Sequence, residues 1–181
     1  ASRKFYTPVL LSIKDDEATG RLEIHLTSDL LSEWEGMVRW RLMRLDGEVL
    51  ESGEFAVDIQ PLSSKIVFDR VFSQLSLDEK RESVFVAELV KDDRVEMRQL
   101  ATFVRNKHLK LVDPQLKAYL HDGGDGNVMV ELETSSLARF VELSLDDADV
   151  VFSENYLDVL PGEAVQVRCS LPGSWTIDDL A

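Results

Sequence analysis

Phe152-Ser-Glu-Asn-Tyr156-Leu-Asp158-Val-Leu-Pro161-Gly162-Glu163-Ala-Val165-Gln-Val167-Arg-Cys169-Ser170 reads as a turn that feeds a strand. Proline pre-sets the φ of the first central position of a type II turn, and glycine accepts the positive φ of the second, so Pro161-Gly162 marks the reversal. Beyond it Val165, Val167 and Cys169 alternate with Gln166, Arg168 and Ser170, the pattern of a strand with one face covered. Cys169 therefore reads as a small inward-facing hydrophobe.

The same period of two recurs upstream. Leu22, Ile24 and Leu26 alternate with Arg21, Glu23 and His25, and Val38, Trp40 and Leu42 alternate with Arg39 and Arg41. Further strands are expected at Val9 to Lys14, Val49 to Ile59, Lys65 to Phe68, Val84 to Lys91 and Glu96 to Val104. Asp15-Asp16, Asp46-Gly47, Gln60-Pro61 and Asp92-Asp93 supply the turn signals between them. About seven strands in this part of the chain is the number an immunoglobulin-like sandwich needs. One short helical turn interrupts the series, because Ser76 and Glu79 have the spacing of a capping box.

The pattern restarts around Asn106-Lys-His-Leu-Lys110, with Asp113-Pro114 as a second break. The chain is thus expected to be all-β, two consecutive immunoglobulin-like antiparallel β-sandwich domains over residues 1–106 and 107–181. Strands of the smaller module are expected at Leu109 to Val112, Leu116 to His121, Val128 to Thr134, Arg139 to Leu145, Ala148 to Phe152 and Val165 to Ser170. Gly123-Gly124-Asp125-Gly126 reads as a hairpin loop.

Charge narrows the partners. With 34 acidic against 20 basic residues the net charge of −14 opposes approach to phosphate backbones and anionic lipid, so neither nucleic acid nor membrane is an expected partner. No run approaches the roughly 18 to 20 apolar residues of a membrane span. The single cysteine excludes an internal disulfide. Asn106, Asn127 and Asn155 each lack the Ser or Thr of a glycosylation sequon. The opening Ala1-Ser-Arg-Lys-Phe5 has no apolar signal core and no initiator methionine, which reads as a cut inside a longer protein.

Catalytic chemistry finds little to stand on. Glycoside hydrolysis generally needs two carboxyl groups flanking the scissile bond. Glu131 and Glu133, however, alternate with Val130 and Leu132, as on the solvent side of a sandwich strand. Asp146, Asp147 and Asp149 offer oxygen ligands but lack the spacing of a calcium loop. His25, His108 and His121 belong to no zinc motif, and Ser63-Ser64 and Ser135-Ser136 sit in turn-like contexts without a nucleophile elbow. A strand follows Gly123 to Gly126, so no helix N-terminus is offered to a phosphate. No cofactor is called for. Aromatic side chains could form a sugar-stacking platform, the candidates being Trp34, Trp40, Trp175, Tyr119 and Tyr156. Trp40 is in phase with the core positions Val38 and Leu42; Trp34 and Trp175 are expected either exposed or against a neighbouring domain.

Thr7-Pro-Val-Leu-Leu-Ser-Ile13, Asp46-Gly-Glu-Val-Leu50, Val84-Phe-Val-Ala-Glu-Leu89, Leu137-Ala-Arg-Phe-Val-Glu-Leu143 and Asn155 to Glu163 stand out as segments. Together they resemble the C-terminal immunoglobulin-like domains of β-mannosidases of glycoside hydrolase family two. The resemblance implies that Asn155, Tyr156, Asp158, Pro161, Gly162 and Glu163 form a structural corner, with Asp158 or Tyr156 bonding nearby backbone. In that family the acid/base and nucleophile are glutamates of a central barrel, and no position here corresponds to them. The implied role is a non-catalytic, structural fragment packed against the catalytic barrel and other domains of its parent, inactive alone, meeting a β-mannoside substrate only through that parent. The competing reading is an independent carbohydrate- or protein-binding module that uses exposed aromatics or a sheet edge.

Overall fold

A computed structural model describes residues 8–145, 150–173, 175 and 177–180. The chain divides into two compact units, one running to Arg44 and resuming over Glu48–Lys110, the other joining Leu45–Gly47 to the residues from Leu111 onward.

In the first unit the strands are β1 (Val9–Asp16), β2 (Arg21–Ser28), β3 (Trp34–Arg44), β4 (Val49–Ile59), β5 (Ser64–Val71), β6 (Ser83–Lys91) and β7 (Arg94–Thr102). Antiparallel pairing arranges them as a three-stranded sheet β1-β2-β5 and a four-stranded sheet β4-β3-β6-β7. The inward phase is the one that alternation requires: Leu22, Ile24 and Leu26 from β2 meet Val38, Leu42, Phe85 and Leu89 from the other sheet in one buried cluster. Each such side chain removed from water contributes about 1.5–3 kcal/mol. Phe85 is the hub of an aromatic set, its ring centroid 5.7 Å from those of Trp40, Phe68 and Phe72.

Trp34 corrects one expectation. It is 4% exposed and belongs to the core of its own unit. Gly36 makes the room, because a Cβ there would lie 2.2 Å from the Trp34 ring. Two-residue spacing alone cannot reveal a ring folded back over the strand that carries it.

Turns follow local chemistry. Asp92 and Asp93 both take positive φ (48° and 59°), the two-residue reversal whose twist matches paired strands. Between β5 and β6 lies α1 (Leu77–Arg81), with the expected reciprocal box: Ser76 Oγ accepts from the Glu79 N–H, and the Glu79 carboxylate accepts from the Ser76 N–H. A short 3-10 helix occupies Asn106–His108.

The second unit contains β8 (Lys117–Gly124), β9 (Asn127–Glu133), β10 (Ala138–Val141), β11 (Leu157–Val159) and β12 (Val165–Ser170). β9 lies between β8 and β12, while β10 and β11 form a separate antiparallel pair. Val128, Val130, Leu132, Ala138, Val159 and Val167 form its core, and Cys169 is buried. Asp125 and Gly126, at φ 52° and 72°, close the β8–β9 hairpin.

Three expected strands are revised. Leu109 to Val112 joins no ladder: Asp113 accepts the Gln115 N–H at 2.9 Å, Gln115 takes φ 49°, and Leu111 and Val112 remain exposed. The strand placed at Arg139 to Leu145 ends at Val141, since Phe140 turns to φ 55° and the Leu143 backbone is taken by a side chain. Of Ala148 to Phe152, residues 148 and 149 lie outside the described residues, and Phe152 makes a single bridge to Cys169. β11, three residues long, has no counterpart in the sequence reading.

Candidate functional site

The residues from Asn155 to Glu163 meet β10 in a corner of the second unit. Ala138 faces Val159 and Val141 faces Leu157, with an irregularity between the two pairs. Asn155 acts as a substitute peptide group. Its Oδ1 accepts the N–H of Leu143 at 2.7 Å and of Tyr156 at 3.1 Å, while its Nδ2 donates to the Leu143 carbonyl at 2.8 Å. The Asp158 carboxylate accepts from Arg139 Nε and Nη2, each at 3.2 Å, and from the Phe140 N–H at 3.1 Å. Bidentate pairing of this kind fixes direction as well as charge. The Arg139 guanidinium also lies 4.8 Å from the centre of the Phe140 ring.

Tyr156 stands differently. At φ 55° it projects a side chain that is 64% exposed, and its hydroxyl donates to Glu142 Oε1 at 2.8 Å. That hydrogen bond to a carboxylate, with the carboxylate's charge, raises the phenol above its ordinary pKa. So Asp158 and Asn155 bond backbone, whereas Tyr156 bonds a side chain. After them Pro161-Gly162 reverses the chain, with Gly162 at φ 76° and the Glu163 N–H donating to the Leu160 carbonyl at 3.4 Å. Leu160 and Val159 are fully buried, which anchors the corner to the core.

The other candidates disperse. Trp40 packs between Phe68 and Phe85, Trp175 is partly buried with its N–H donating to the Pro172 carbonyl, and Tyr119 is exposed on β8. Glu131 accepts from Gln166 across the β9–β12 pair. Two carboxylates that sequence reasoning passed over are nearly buried: Glu23, among Lys14, Arg21 and His25, and Glu88, between Arg98 and Arg41. Lys14 and Arg21 neutralise Glu23, and Arg98 and Arg41 neutralise Glu88, each from its own sheet, which suits a surface charge ladder. Nothing in the alternation distinguishes Glu23 or Glu88 from an ordinary outward position. His25 bonds Glu23, while His108 and His121 lie exposed on other elements. No cluster of three or more His, Cys, Asp or Glu able to hold a metal ion occurs among the described residues; Asp146, Asp147 and Asp149 lie outside them. Among the described residues, no helix is long and apolar enough to cross a membrane. Burial pushes the Cys169 thiol up, away from the reactive thiolate.

What phenylalanine at 140 does was not legible. Its place in Leu137-Ala-Arg-Phe-Val reads as ordinary strand, yet it takes φ 55° and is 54% exposed.

Comparison with known proteins adds an independent line. Residues 20–108 match the family model of the mannosidase Ig/CBM-like domain, and residues 111–181 match that of an Ig-fold domain. β-Mannosidase A of Aspergillus niger is 28% identical over 193 aligned residues, covering 96% of this chain and 20% of the relative. Its counterpart in Neosartorya fischeri is 26% identical, covering 98% and 20%. The chain thus spans about a fifth of the length of these relatives. Among solved structures, the β-D-mannosidase of Dictyoglomus thermophilum superposes with a TM-score of 0.80 at 17% identity, over 96% of this chain and 20% of the other. An exo-chitosanase of Amycolatopsis orientalis gives 0.60 at 14% identity, over 88% and 23%. At such identities the structural likeness speaks for the fold.

Proposed function

Since this chain belongs, over residues 20–108 and 111–181, to the immunoglobulin-like domains of glycoside hydrolase family two β-mannosidases, we propose that it is a non-catalytic, structural part of a longer exo-glycosidase that releases terminal β-mannosyl residues. The observation that carries the reading is collinearity: nearly the whole chain aligns with β-mannosidases of which it makes up only a fifth. The role follows from what the side chains do. The nearly buried carboxylates Glu23 and Glu88 are held by cations, and the corner residues Asn155 and Asp158 spend their polar atoms on backbone and Arg139. Groups committed in this way stabilise a scaffold; they do not transfer protons to a sugar.

In this reading the partners are the catalytic barrel and the other domains of the parent chain, and the change from the larger to the smaller module falls near residue 106. Asn155, Tyr156, Asp158, Pro161, Gly162 and Glu163 serve as a structural corner. The test compares hydrolysis of an aryl β-mannoside by this chain and by the longer parent at equal molarity. Activity confined to the parent supports the reading; turnover by the chain alone overturns it.

A further inference from the structure

We propose that the exposed rings of Phe140, on β10, and of Tyr156, just before β11, form a saccharide-contact surface that takes the C–H face of a neutral hexopyranoside while Glu142 accepts from a sugar hydroxyl. The two rings leave 54% and 64% of their residues' surface in solvent, against the tendency of large aromatics to be buried. Both residues also sit at φ 55°, a left-handed conformation that is unfavourable for side chains of this size and that clusters at functional positions. Neither residue is left to relax. Asp158 holds the Phe140 N–H, Asn155 Oδ1 holds the Tyr156 N–H, the Arg139 guanidinium lies against the Phe140 ring, and Glu142 fixes the Tyr156 hydroxyl. Exposed rings held in place cost little further ordering when a ligand arrives.

The chemistry selects the ligand class. A carboxylate has about four lone-pair positions, so Glu142 keeps acceptor capacity after receiving the Tyr156 hydroxyl. An acceptor carboxylate in a chain of net charge −14 repels anions and suits a neutral polyol. Size points the same way. Half-exposed aromatic rings offer on the order of 200 Å² between them, well short of the roughly 800 Å² per partner of a stable protein interface and comparable to one or two sugar rings.

The experiment is an aromatic-region NMR titration of this chain with methyl β-D-mannopyranoside and, separately, methyl β-D-glucopyranoside. The expected result is a saturable shift of the Phe140 and Tyr156 ring resonances, with affinity falling roughly 10-fold in Phe140→Ala or Tyr156→Ala, the scale of one aromatic contact. Because alanine at a positive φ can itself shift the ribbon, Glu142→Gln and Tyr156→Phe are titrated as well; weaker binding with unchanged spectral dispersion supports the site. The absence of a saturable shift with both glycosides overturns the proposal, as does binding that survives both alanine variants. Rings shielded from a soluble quencher in the longer enzyme overturn it too, since a polypeptide would then be the occupant.

Discussion

Asn155 holds both main-chain polar groups of Leu143, the N–H at 2.7 Å and the carbonyl at 2.8 Å, in the manner of a neighbouring strand. A single side chain thereby replaces one rung of a ladder, which is why β10 can stop at Val141 without orphaning the backbone beyond it.

Asn155→Ala is expected to lower the stability of the second unit by about 1–2 kcal/mol, the net worth of these partly solvated hydrogen bonds. Asn155→Asp keeps the acceptor for the Leu143 and Tyr156 N–H groups, loses the donor, and should fall between. Urea unfolding followed by far-UV circular dichroism measures both. A wild-type midpoint in the alanine variant would show that the rung carries no stability.

The Arg139–Asp158 pair supplies a second test, because Asp158 joins one guanidinium to one backbone N–H. Both side chains are largely covered, so removing the carboxylate alone should cost about 2–3 kcal/mol, more than an exposed pair would. Asp158→Ala, Arg139→Ala and the double variant form a thermodynamic cycle. The expected coupling is about 1–2 kcal/mol, and strict additivity would mean that the pair is incidental.

Much of the first unit could be read from spacing, since Leu22, Ile24 and Leu26 are buried on one face of β2 as alternation requires, and Ser76 and Glu79 form their capping box. Those features depend on neighbours a few positions away. The corner was only half legible. Pro161-Gly162 announces its turn through local backbone preference, but β11 exists because Asp158 and Asn155 reach 12 to 19 residues back to Arg139, Phe140 and Leu143, and no local pattern encodes that reach. Trp34 was misplaced for a similar reason: its burial depends on Gly36 having no side chain, which is a matter of volume and not of period.

Gly36→Ala is accordingly expected to destabilise the first unit by about 1–3 kcal/mol, the usual cost of forcing a group into a packed core. The added Cβ would lie within 2.2–2.8 Å of three Trp34 ring atoms, so the ring must leave its place over the strand. The Lys91 ammonium, 5.3 Å from that ring, would lose its partner at the same step. Trp34 fluorescence should shift to longer wavelength in the variant. An unchanged spectrum together with an unchanged unfolding midpoint would mean that the ring has other room.

The Tyr156–Glu142 contact makes a prediction about pH. Glu142 accepts the phenol's proton in a hydrogen bond, so the folded state keeps that proton to higher pH than the unfolded chain, where the ordinary value is near 10. The sign follows from linkage. The contact's contribution is fully present below the unfolded value and is lost as pH rises through the raised folded value. Absorbance titration near 295 nm should therefore show Tyr156 ionising late, above the ordinary tyrosine value near 10, and Glu142→Gln should return it toward that value. Tyr156→Phe should remove the late component altogether. A late component that persists in Tyr156→Phe would assign it to another tyrosine and leave the contact without effect on the phenol.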